Sequence, residues 1–239
     1  MKQHMTTRIV LGVLVLGTCV LSVFAQQASQ APQAQQGAGA RGARGGGQAG
    51  PLPLFFKETW KNTAMTPMSQ DGVANPDLQV ALYGPGNKDD FGVTNEGNVP
   101  HIWTGLCNSA CAVTLKHKGS LVDLTGKARI KWYVKTSGFH EVRPVLKLTD
   151  GTYLVGDHVD SAAFDWRESE FYLSEVRWLK VEMPKVLTKG KLLEKVDLSK
   201  VDEVGFADLT PGSGHGDGGY SDVGWIEVYG KPVQRDAAK

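Results

Sequence analysis

From Pro53 to Arg235 this chain never sustains a helical period: no window of twelve or more residues repeats apolar positions at 3.6-residue spacing without an intervening Gly or Pro. It carries instead short runs of β-branched and aromatic residues, broken every 8 to 15 positions by Gly, Pro, Asn or Asp. Such a chain buries its apolar side chains by pairing strands and packing two sheets together. The expected fold is therefore all-β, a two-sheet β-sandwich forming a single domain over residues 53–235. Ten strands are predicted, at 78–83, 101–104, 112–117, 128–135, 142–148, 152–155, 168–173, 178–183, 203–209 and 225–229. In the clearest, Ile130, Trp132 and Val134 alternate with Arg129, Lys131, Tyr133 and Lys135, as expected with one face buried and one wet. Asp150-Gly151 predicts a two-residue hairpin turn, both residues at positive φ, pairing 142–148 with 152–155. One helical turn is expected near 192–201, capped by Asp197 or Ser199.

The N-terminus differs. Lys2 and Arg8, the apolar run Ile9 to Phe24 and the small-residue ending Val23-Phe24-Ala25 read as a secretory signal over residues 1–25, cleaved after Ala25. A lipoprotein-type use of Cys19 is a weaker match, because Thr18 suits that cleavage poorly. Residues 26–50 contain seven Gln, seven Ala and seven Gly, which bury too little to offset ordering, so 26–52 is expected to be a disordered linker. The protein is then secreted or periplasmic, with no membrane span after processing. With 26 Lys and Arg against 25 Asp and Glu, charge names no nucleic acid as partner. The two arginines of the linker make too few phosphate contacts to change that.

The C-terminal half holds an ordered set of phrases: Asp165-Trp166-Arg167 before Phe171-Tyr172-Leu173, then Asp197-Leu198-Ser199-Lys200-Val201 before Val204-Gly205-Phe206, then Gly224-Trp225-Ile226-Glu227-Val228-Tyr229. Over about residues 121–230 this resembles the galactose-binding-like jelly rolls of carbohydrate-binding modules and of complex I intermediate-associated domains. The resemblance implies a sandwich that binds sugar, or another protein, without catalysis. The closing phrase departs from the pattern, with Gly224 where Asp is usual and Asp222 two residues earlier.

Sugar recognition needs flat apolar faces for C–H groups and planar polar groups for hydroxyls. Trp132 and Trp225 fall on alternating strands and are expected in the core, whereas Tyr133 lies on the wet side. Arg143 and Lys147 are expected on the neighbouring strand with the same parity, bordered by Tyr153, Asp157 and His158. The loop 211–220 has five Gly in ten residues and carries His215 and Asp217, candidates for a sugar or a metal. Cys107 and Cys111 predict a disulfide in an oxidising compartment, contributing about 2 kcal/mol for so short a loop. Asp157, Asp160 and Asp165 make a structural calcium conceivable. Glu168 and Glu170 share a strand face, which suits glycoside cleavage only if two carboxylates flank a cleft, and there is no nucleophile-elbow motif. The expected function is carbohydrate binding by Tyr133, Arg143, Asp157, His158, His215 and Asp217, with no catalytic residue. Glycoside cleavage and protein interaction at the cell envelope are the alternatives.

Overall fold

The computed structural model describes residues 50–85, 91–104, 107–210 and 219–235. The signal segment, nearly all of the linker, His215 and Asp217 lie outside the described residues. Among the described residues, fifteen strands pair antiparallel into two sheets, the sandwich of jelly-roll class expected. The first sheet runs β10 (Arg167–Tyr172), β7 (Arg129–Thr136), β14 (Ser221–Tyr229), β4 (Val99–Trp103), β3 (Gly92–Glu96), with β1 (Leu54–Glu58) also paired to β14. The second runs β12 (Leu187–Lys189), β11 (Trp178–Glu182), β9 (Tyr153–Gly156), β8 (Val142–Leu148), β13 (Val201–Asp208), β5 (Cys111–His117), β2 (Leu78–Tyr83). On this sheet β6 (Ser120–Asp123) pairs with β13, and β15 (Lys231–Gln234) with β6.

All ten predicted strands form. The five not predicted, β1, β3, β6, β12 and β15, are three to five residues long. The hairpin after β8 is wider than expected: the Gly151 amide bonds the Leu148 carbonyl and only Gly151 takes positive φ, a three-residue loop. No helical turn forms at 192–201, where Asp197 instead accepts the Ser199 amide at 2.9 Å. The expected Cys107–Cys111 disulfide is absent, and both cysteines are buried thiols. The Cys107 amide closes a turn on the Thr104 carbonyl, while Cys111 opens β5, so each is set by its own element as a small core residue.

The two sheets are buried differently. In β7 the predicted alternation holds, with Ile130, Trp132, Val134 and Thr136 buried and the intervening residues half-exposed. In β5 and β13 nearly every residue is buried, because a second apolar cluster of Ala112, Val145, Val155, Val181, Met183 and Ala207 covers the outer side. An open outer face therefore belongs to the first sheet. Close strand approach in the second requires Gly205, where a Cβ would stand 1.9 Å from the Val113 carbonyl oxygen. Gly205→Ala is expected to lower stability by about 3 kcal/mol or more, read as the urea midpoint; an unchanged midpoint would contradict this packing.

Candidate functional site: an aromatic ladder beside a polar cleft

The open face is shaped by one irregularity. Between Val223 and Trp225 the register of β14 against β7 shifts, leaving Gly224 as a bulged residue. Strict alternation from buried Val223 would turn Trp225 into the core. The bulge reverses the parity: Ile226 is buried and Trp225 stands half-exposed opposite Tyr133. The expectation for Trp225 is thus corrected, while Trp132 is fully buried as expected. The Val223 carbonyl accepts the Trp60 indole N–H at 2.8 Å. Trp60 sits at φ 53°, and its amide donates to Glu58 at 2.8 Å. Glu58, wholly buried, also accepts the amides of Ala74 and Asn75, tying this loop to the sheet.

Tyr133 stacks on Trp225 with ring centres 5.9 Å apart and planes 11° from parallel, and on Trp166 at 5.1 Å and 20°. Ring planes in contact lie about 3.5–4 Å apart, so these rings are displaced sideways like steps. A Cβ on Gly224 would come within 3.2 Å of the Tyr133 ring and 3.3 Å of the Trp166 ring, so glycine leaves the space this packing uses. Lys57 caps Trp225, its Nζ 4.8 Å from the ring centre, and His101 meets Trp166 edge-on at 5.1 Å. The charges around the ladder are matched: Lys57 with Glu227 at 2.8 Å, Arg129 with Glu170 at 2.8 Å, Lys135 with Glu96 at 2.6 Å.

Glu96, which accepts the Trp166 indole N–H at 3.2 Å, and His101 also line a cleft of about 290 Å³ with Trp103, Lys135, Tyr220 and Asp222. The cleft holds groups with opposed acidities. Its Lys135 partner keeps Glu96 ionised below the usual carboxylate range, whereas burial, reinforced by the Glu96 charge, pushes Asp222 up to about 8. Burial also lowers His101, whose Nδ1 lies 2.8 Å from the Val99 carbonyl. A carbonyl only accepts, so Nδ1 carries the proton and Nε2 the lone pair. His101 Nε2 and Asp222 Oδ1 are 3.8 Å apart.

Of the residues predicted to act with Tyr133, the described ones, Arg143, Asp157 and His158, are not beside it, while His215 and Asp217 lie outside the described residues. The chain changes sheet between β7 and β8, which takes Arg143 and Lys147 to the second sheet, where Arg143 bonds Glu141 at 2.7 Å. Asp157 holds Arg177 at 2.6 Å. His158 stacks on Phe171 with centres 3.8 Å apart and reaches Asp160 at 3.1 Å. Asp160 also receives Trp132 and Arg167; burial pulls its acidity one way, but the bonds from His158, Trp132 and Ser169 hold it below the ordinary range. Asp157 and Asp160 are therefore occupied, Asp165 bonds the Trp166 amide, and among the described residues no group of three side chains is arranged for a metal. Glu168 and Glu170 share the outer face of β10, with Glu170 held by Arg129 and Lys131. His140, Asp208 and Ser221 meet in the core, but Ser221 donates to Asp208 at 2.8 Å rather than to the imidazole, so no serine nucleophile is formed.

Sequence reasoning missed Trp166, Trp225, Glu96 and His101 as one group. A Gly inside an alternating strand, Val223-Gly224-Trp225, is the signal for a bulge and for the outward turn of Trp225. Asp222 supplies a test. Its folded form keeps a proton that the unfolded chain releases near pH 4, so stability falls as pH rises from there to about 8, then levels off. Asp222→Asn should flatten that fall, on the order of a few kcal/mol, in melting curves across pH; parallel profiles for the two proteins would refute the assignment.

No family model matches this sequence, and no curated protein does. Among solved structures, the chain is similar to the family 11 carbohydrate-binding module of the cellulosomal cellulase Lic26A-Cel5E of Clostridium thermocellum, at TM-score 0.44 and 10% identity, covering 80% of this chain and 100% of that one. It is also similar to a family 29 carbohydrate-binding module variant complexed with mannohexaose, at TM-score 0.41 and 13% identity, covering 71% and 94%. A second family 29 variant, complexed with cellulohexaose, gives TM-score 0.38 and 13% identity, covering 70% and 92%.

Proposed function

We propose that the protein is an exported, non-catalytic carbohydrate-binding domain that takes a neutral sugar chain across the outer face of its first sheet. The observation that carries this reading is the stepped ladder Trp225–Tyr133–Trp166 on that open face. Offset aromatic faces suit the C–H sides of successive sugar rings, and each contact excludes water from apolar surface on both partners. Carboxylates and amines already paired across the face offer hydrogen bonds without net charge, which supports a neutral rather than an acidic glycan. The N-terminal segment supports export.

Affinity electrophoresis in gels containing mixed-linkage β-glucan, glucomannan or galactan tests this reading. Retardation by at least one is expected, with no released oligosaccharide. Trp225→Ala and Tyr133→Ala should each weaken binding about tenfold or more with small changes in melting temperature. Retardation unaffected by either substitution would overturn the reading.

A further inference from the structure

The Asp222 side chain is only 6% exposed, yet its Oδ1 has no hydrogen-bond partner among the described residues, and Asp222 lines the cleft beside the ladder. A buried carboxyl oxygen left unbonded is costly, and on a residue that lines a cavity it points to a bound water or ligand atom that completes it. The neighbouring His101 Nε2 is an unprotonated ring nitrogen, because Nδ1 is committed to the Val99 carbonyl. At 3.8 Å the two atoms are too far apart to bond each other. They are close enough for one oxygen to reach both at about 2.8 Å.

We propose that Asp222 and His101 form a hydroxyl-reading pair, in which the Asp222 acid donates to the oxygen of one sugar hydroxyl while His101 Nε2 accepts that hydroxyl's proton. The inference rests on the carbohydrate reading above and deepens it by naming the group recognised. A hydroxyl both donates and accepts, so it satisfies the pair, as the water it displaces does. An ether oxygen cannot donate to His101, and an ammonium cannot accept from Asp222. The cleft therefore selects a free hydroxyl over its O-methyl ether.

The surrounding groups are consistent with a protonated Asp222. On β3, Glu96 faces it as a carboxylate; on β7, Lys135 is engaged by Glu96; on β4 stand His101 and Trp103; Tyr220 completes the wall. Burial and the Glu96 charge keep the acid protonated up to about pH 8. Above that, the cleft presents two acceptors to a hydroxyl that has one proton, and the bridge fails.

The test measures retardation of the full chain in gels of mixed-linkage β-glucan, glucomannan and galactan and of the O-methyl ether of each, from about pH 6 to about pH 9.5. Wild type should bind about tenfold more weakly at the upper end of that range and to the methyl ethers. Asp222→Asn, whose amide donates without titrating, should show a flat profile across that range. His101→Phe should lose about tenfold at every pH. Melting curves identify any variant that does not fold; the wild-type pH profile and the methyl-ether comparison then decide alone. If wild type binds the glycans, Trp225→Ala abolishes binding, and neither pH nor methylation matters, this inference falls while the carbohydrate reading stands. If wild type binds none of the glycans, both fall.

Discussion

The bulge at Gly224 is the constraint on which the candidate site depends. One extra residue in β14 lets a single strand place Val223 and Ile226 in the core and Trp225 on the surface. The disruption leaves the Val223 carbonyl next to the bulge, and the Trp60 indole takes it up. Trp60 in turn is held through Glu58, a buried carboxylate whose three bonds to backbone amides offset its desolvation. A fully buried tryptophan thus acts in support of a half-exposed one. Because Gly224 carries no Cβ, the rings of Tyr133 and Trp166 close over it.

Unequal burial of the two sheets decides where such a surface can exist. The second sheet is covered on its outer side by its own apolar cluster, so β5 and β13 are buried almost throughout. The first sheet keeps an open side, and its half-exposed residues are aromatic rings and matched ion pairs. Exposed ion pairs contribute little to stability. On this face they set the edges of the ladder, with Lys57 over Trp225 and Glu96 accepting the Trp166 indole N–H.

The cleft adds a different chemistry to the same face. Glu96 and Asp222 lie close enough for the charge of one to raise the pKa of the other, but of the two only Glu96 has a lysine partner among the described residues. Burial without a partner keeps Asp222 neutral, and burial keeps His101 neutral beside it. Two neutral groups of opposite hydrogen-bonding character at one wall distinguish this cleft from the paired charges around the ladder.

Periodicity in the sequence determined the all-β class, ten of the strands and the inward side of β7, because burial on one face of a pleated strand leaves a period of two that any register preserves. It could not reveal strands such as β12, three residues long with all three exposed, since these carry no period to read. Tyr133 was legible as a surface residue from its parity alone. Its partners were not: Trp225 obeys a parity broken by one residue, Trp166 comes from just before β10, and Glu96 and His101 arrive from a hairpin some thirty to forty positions earlier. Arg143 and Asp157 looked adjacent because sequence neighbours usually pair, but the step from β7 to β8 crosses the sandwich. Local alternation is written into the chain, whereas strand order and a bulge arise only when distant strands compete for the same edges and the same core.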